Sequence, residues 1–172
     1  MSLEHQFHKL NEPLQCAVLT VSDSRDEKTD KSGKLIRDCL LAEGHEVVAS
    51  RIVADEPELI KKTLLAFFGQ PEIQLVISTG GTGISPRDST FETVKPLIHK
   101  EIPGFGELFR YLSYKEIGSP AMLSRAIGGL VKSETGLKII FTLPGSKNAC
   151  ALAMKSLIVP QLGHIFKEFK KS

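Results

Sequence analysis

The sequence contains no tryptophan and only two tyrosines in 172 residues. Nine phenylalanines supply nearly all of its aromatic surface, which leaves few platforms for stacking nucleic-acid bases. Charge of one sign is lacking too. Against 20 Asp and Glu stand 22 Lys and Arg, for a net charge of +2. With no sustained basic stripe, neither nucleic acid nor an anionic membrane is an expected partner. Lys167, Lys170 and Lys171 read as a solvated helix end. Cysteine is scarce. Cys16, Cys39 and Cys150 are far apart, odd in number and without a Cys-x-x-Cys pair, as expected of buried free thiols in a reducing compartment. His5 and His8 have metal-ligand spacing but lie in a polar tail. No apolar run approaches the roughly 20 residues of a membrane span, and no signal-peptide core precedes the first strand. The expectation is a cytoplasmic protein.

What the chain does have is an alternation of short apolar runs and helical patterns. Residues 15–21, 46–53, 73–79 and 137–143 read as strands. Helical spacing covers residues 31–42, the stretch from Leu59 to Phe67, the residues after Ser89, residues 105–112 and residues 147–158, followed by a last amphipathic segment. Pro96 is expected to shorten the helix after Ser89. The absence of repeats, linkers and composition breaks predicts one domain over residues 14–172, preceded by a flexible extension at 1–13. Alternating strands and helices predict an α/β fold, a mostly parallel sheet covered on both faces in three α/β/α layers. The alternation loosens between 100 and 136, where an antiparallel addition or hairpin fits.

The most informative stretch is Gly80-Gly81-Thr82-Gly83-Ile84-Ser85-Pro86-Arg87-Asp88. It follows a strand and precedes Ser89-Thr90-Phe91-Glu92, a capping-box pattern. Glycines here let the backbone take positive φ and approach a ligand closely, and free N–H groups at such a turn favour an anion. The pattern lacks the Gly-Lys-Ser/Thr ending of a P-loop and the third glycine of a dinucleotide fingerprint. A plain tight turn and a phosphate cradle both remain open.

In an open α/β sheet the loops after parallel strands share one edge, and ligands bind there. That rule gathers Ser22 and Asp23, Asp55, Thr79 to Asp88, and Pro144-Gly145-Ser146. Hydroxyls, glycine turns and several carboxylates suit a phosphorylated ligand held with Mg²⁺. Each residue also has a plainer role. Asp55 fits the cap of a following helix, Asp88 fits a cap or a pair with Arg87, and Asp23 fits an Asx-turn. Ser146 fits an N-cap. Ser124 and Arg125 fit structural or ligand roles equally, and helix 105–112 fits core or a subunit interface.

Taken in order, Leu19-Thr20-Val21-Ser22-Asp23, Ser78-Thr79-Gly80-Gly81-Thr82-Gly83, Pro86-Arg87-Asp88-Ser89-Thr90, Gly104-Phe105-Gly106-Glu107-Leu108-Phe109-Arg110, Leu123-Ser124-Arg125-Ala126 and Leu143-Pro144-Gly145-Ser146 form a set. Over about residues 15–165 the chain closely resembles the MoaB/MogA family of molybdenum-cofactor biosynthesis proteins, in particular its MoaB branch. The resemblance implies a molybdopterin-binding-like fold, trimers or hexamers, and molybdopterin as ligand. It also implies Mg-ATP-dependent adenylylation of molybdopterin, with a non-catalytic pterin- or nucleotide-binding paralogue as the alternative. By the same resemblance Asp55 and Asp88 match the essential, Mg²⁺-holding carboxylates. Thr79, Gly80, Gly81, Thr82 and Gly83 would cradle phosphate. Ser22, Asp23, Ser119, Ser124, Arg125, Pro144, Gly145 and Ser146 would lie near the pterin. Where the MogA pattern has Pro-Gly-Asn-Pro, this chain has Pro144-Gly145-Ser146-Lys147, as in the MoaB branch.

Overall fold

A computed structural model describes residue 10 and residues 12–169. Most of the expected N-terminal extension, with His5 and His8, lies outside the described residues, as do Lys170 and Lys171.

The elements follow the order β1 (Gln15–Val21), α1 (Lys31–Ala42), β2 (Glu46–Val53), α2 (Pro57–Phe68), β3 (Leu75–Thr79), α3 (Thr90–Val94), β4 (Lys100–Glu101), α4 (Pro103–Ile117), β5 (Ile127–Ser133), β6 (Gly136–Leu143), α5 (Lys147–Ala153) and α6 (Val159–Phe169). One six-stranded sheet has the order β2-β1-β3-β6-β5-β4. The first four are parallel neighbours. β5 runs antiparallel to β6 and to β4, which is the hairpin expected in the loosely patterned region. The α/β reading of the sequence therefore holds.

Local chemistry explains the element ends. Asp30 caps α1 by accepting from the Gly33 N–H. At its other end Gly44, at φ +80°, turns the chain left-handed. The N–H groups of Gly44 and His45 then close onto the carbonyls of Leu41 and Leu40, a Schellman closure. Pro57 opens α2 where no N–H is needed. The capping box expected at Ser89 does not form, because Ser89 makes no side-chain bond to its own helix. α3 is short, giving way at Pro96 to a 3-10 turn over Lys95–Leu97.

Two apolar cores flank the sheet. One holds Ile36, Leu40, Phe105, Phe109, Phe141 and the inner faces of α5 and α6. The other holds Ile60, Leu64, Phe67, Phe68 and Val94. Each of these large side chains contributes about 1.5–3 kcal/mol when fully buried. β3 is wholly buried, as a central parallel strand should be.

The expected break near residue 158 is absent. Lys147–Phe169 is one helix of 23 residues, with a π-turn at Met154–Ile158. That wider turn lies just ahead of Pro160, whose ring would clash with the carbonyl of a regular preceding turn. By length and mean hydropathy, 1.3, this helix could cross a membrane. Here Cys150, Ala153, Met154, Ile158, Leu162 and Phe166 pack it into the core instead.

Candidate functional site

The chain leaves β1 for β2 on one side and returns to β3 on the other. The carboxyl ends of β1 and β3 thus border a switch in strand order, where crevices form. A cleft of about 680 Å³ opens there. Its walls include Ser22, Asp23, Asp55, Gly80 to Gly83, Asp88, Ser124 and Pro144 to Ser146. Loops up to 120 residues apart in sequence meet, as Arg25 and Gly145 do.

The glycine turn shapes the cleft floor. Gly80 and Gly81 have φ of +100° and +64°. The Gly80 N–H belongs to the sheet, donating to Leu143. Among the described residues, the N–H groups of Gly81, Thr82 and Gly83 have no partner in the protein. All three residues line the cleft, and successive free donors of this kind bind anions.

Both expected carboxylates seat against this turn. A Cβ built on Gly81 would lie 2.4 Å from Asp55 Oδ2, and one on Gly83 would lie 2.8 Å from Asp88 Oδ2. Asp55 is 6% exposed. It does not cap α2, whose N-cap is Glu56. Its Oδ1 instead accepts from the Ser89 N–H (3.0 Å) and hydroxyl (2.6 Å) at the start of α3. Its Oδ2 has no donor among the described residues. Asp88 neither caps α3 nor pairs with Arg87. Its Oδ2 accepts from the Ser85 N–H at 3.0 Å, leaving Oδ1 open.

Arg87 bridges to other loops. It reaches both oxygens of Asp23 at 2.8 Å and Glu56 at 2.6 Å. Asp23 also accepts from the Asp55 N–H at 3.0 Å. The Arg87 guanidinium, with that N–H second, holds the Asp23 carboxyl down at about 2. The Asx-turn expected of Asp23 is therefore not made. Ser22 closes the loop, its Oγ accepting from the N–H groups of Ser24 and Arg25.

Three expected site residues are placed elsewhere. Thr79 is fully buried, and its hydroxyl donates to the Pro144 carbonyl at 2.8 Å. Ser119 lies on an exposed 3-10 turn outside the cleft wall, which takes Pro120 and Ala121 instead. Arg125 lines a separate groove of about 450 Å³. It pairs with Glu92 and sits over the Phe91 ring at 5.1 Å. Ser146 lines the cleft while capping α5 through the Ala149 N–H.

The sequence reading missed Arg25, a cation in the loop after β1. Its Nη2 donates to the Gly145 carbonyl at 2.8 Å, a carbonyl also held by Ser32 at 2.7 Å. Phe109, Ile117, Ala121 and Ala149 form an apolar wall suited to a flat ring. Of that wall, only the helical spacing of Phe109 gave any sign.

The charge of the cleft bears on a metal. Among the described residues no group of three or more His, Cys, Asp or Glu could hold an ion. Two carboxylates with open oxygens do fit Mg²⁺, which takes hard oxygen ligands and completes its shell with phosphate oxygens and water. Without a cation, Asp55 and Asp88 would repel an anionic ligand from the free N–H groups beside them.

Residues 17–164 match the family model described as "Probable molybdopterin binding domain". The Molybdenum cofactor biosynthesis protein B of Bacillus anthracis is 49% identical over 167 residues, covering 95% of this chain and 96% of that protein. The protein of the same name from Staphylococcus aureus strain COL is 49% identical over 171 residues, covering 98% and 99%. A crystal structure of a Molybdenum cofactor biosynthesis protein B superposes with a TM-score of 0.88 at 47% identity, covering 95% of this chain and 99% of that one. That of the tungsten cofactor synthesizing protein MoaB from Pyrococcus furiosus gives 0.80 at 37%, covering 92% and 98%.

Proposed function

The chain belongs to the molybdopterin-binding-domain family of molybdenum cofactor biosynthesis proteins, and from that premise we propose that it adenylylates molybdopterin with Mg-ATP in the cleft between β1 and β3. The observation that supports this reading is the seating of Asp55 and Asp88 against one glycine turn whose N–H groups at Gly81, Thr82 and Gly83 have no partner among the described residues.

The reaction joins two anions. An oxygen of the pterin's terminal phosphate attacks the α-phosphorus of ATP, a new phosphoanhydride forms, and the bond to the β-phosphate breaks to release pyrophosphate. A phosphate nucleophile is already ionised at neutral pH, so positioning and charge stabilisation dominate. The Gly81, Thr82 and Gly83 N–H groups would hold phosphate oxygens, and the apolar wall around Phe109 would take a ring. Mg²⁺, held by Asp55 and Asp88, would supply charge neutralisation between the two anions. Arg87 keeps the loop of Asp55 and its own loop in register through Asp23.

Incubation with molybdopterin, ATP and Mg²⁺ should yield adenylylated pterin and pyrophosphate. Asp88→Ala should cut that rate by about 10²–10³, the usual cost of a group that stabilises transition-state charge, without unfolding. Wild-type rates in Asp88→Ala would remove Asp88 from the mechanism. A second reading is a binder without turnover, prompted by Pro144-Gly145-Ser146-Lys147 standing where the MogA pattern has Pro-Gly-Asn-Pro. Tight pterin binding with no product would support it.

We also propose a homo-oligomer, a trimer or hexamer. α4 leaves Leu108, Tyr111, Tyr114 and Ile117 exposed, and the turn after it leaves Met122 and Leu123 exposed. An apolar face of that extent fits a subunit contact. The three free thiols fit a cytoplasmic protein.

A further inference from the structure

We infer that Arg125, which lies outside the cleft, is a positioning residue that aims the Gly83 N–H into it; this rests on the phosphate-binding reading of the glycine turn given above.

The Thr82 carbonyl accepts twice from Arg125, from its backbone N–H and from its Nε, each at 3.3 Å. The peptide between Thr82 and Gly83 is planar and trans, so its N–H points opposite to its carbonyl. Anchoring the oxygen on Arg125 therefore directs the Gly83 N–H to the cleft side, where Gly83 forms part of the wall. A glycine here has little preference of its own for one peptide orientation. The anchor supplies what the sequence of the turn does not.

Arg125 is itself fixed by two further contacts. Its guanidinium lies over the Phe91 ring and pairs with Glu92. Both residues belong to α3, the helix that follows the turn and whose start holds Asp55 through Ser89. The pair with Arg125 lowers the Glu92 pKa. One side chain thus ties the middle of the turn to the helix that ends it. A planar fork can donate through Nε to Thr82 and through Nη1 to Glu92 at once, whereas an ammonium is a single point charge.

Arg125→Lys keeps the charge and the reach to Glu92 but loses the Nε donor. Arg125→Gln is a second variant in case the first disturbs packing, and Glu92→Gln leaves both bonds to Thr82. Thermal melts confirm folding. In the ligand-free protein, ¹⁵N NMR should show the Thr82 and Gly83 amides shifted and exchanging faster in Arg125→Lys and Arg125→Gln, with little change in Glu92→Gln. Calorimetry with Mg-ATP should show affinity about tenfold weaker in both Arg125 variants, with melting temperature nearly unchanged. Wild-type turn amides and wild-type Mg-ATP affinity in both would overturn the inference. If the amides respond but the wild-type protein binds no Mg-ATP, the phosphate reading falls and the anchoring role stands.

Discussion

Replacing Gly81 by alanine tests whether the turn needs glycine for its shape or for what lies against it. At φ +64° an alanine costs about 1–2 kcal/mol. Its Cβ would also lie 2.3 Å from Thr90 Oγ1 and 2.4 Å from Asp55 Oδ2, closer than real contacts allow. Asp55 would have to leave its seat and give up at least one of its two hydrogen bonds to Ser89, worth about 1.5–3 kcal/mol for a charged acceptor. The sum is roughly 2.5–5 kcal/mol. At about 2–4 °C per kcal/mol for a chain of this size, that lowers the melting temperature by roughly 5–20 °C. Gly44→Ala is the matched control. Its φ is +80°, and nothing lies within 4 Å of the added Cβ. It carries the backbone cost alone, about 2–8 °C. The entropy gained by restricting the unfolded chain is common to both variants. Thermal melts should separate the two, and adenylylation should survive in Gly44→Ala and be lost in Gly81→Ala. If Gly81→Ala melts with Gly44→Ala and keeps its turnover, the claim that this glycine makes room for the Asp55 carboxylate is wrong.

Protonation of His45 should destabilise the fold. Its Nδ1 accepts the Leu14 N–H at 3.3 Å, and burial lowers its pKa. The unfolded chain then binds the proton first, so stability is full above about pH 6.5 and falls as pH drops through the folded-state pKa. Melting curves between pH 7.5 and 5 should show a steeper loss for wild type than for His45→Gln, and equal slopes would refute this. Light scattering should give a species larger than a monomer, and Tyr111→Glu together with Met122→Glu should shift it toward monomer; a monomeric wild type would contradict the interface.

Central strands such as β3 were legible because a parallel strand buried on both faces must be apolar throughout. β5 was legible only as part of an antiparallel addition or hairpin somewhere between 100 and 136, because Gly128 and Gly129 interrupt its apolar run. In the fold they are strand residues made small by their neighbours. A Cβ on Gly128 would lie 2.4 Å from the Phe141 ring, and one on Gly129 would lie 2.7 Å from the Lys100 carbonyl. The long C-terminal helix was hidden by Pro160, whose demand is met by a π-turn that no local propensity announces. At the site, the gathering of Asp55 and Asp88 followed from topology alone. Their hydrogen bonds did not, since Arg87 meets Asp23 across 64 residues and Asp55 meets Ser89 across 34. Such partners are set by tertiary packing, so neighbours in sequence suggested the wrong caps and pairs.

The reversal of β5 against β6 has its own effect on how such clefts evolve. A strand that runs the opposite way brings to the cleft the residues that enter it, not those that leave it, and so Ser124 stands ahead of Ile127 at the cleft margin. Insertions in the hairpin at Glu134 and Thr135 fall at the far end of the sheet and leave the pocket alone. Changes of length between α4 and Ile127 move its rim directly.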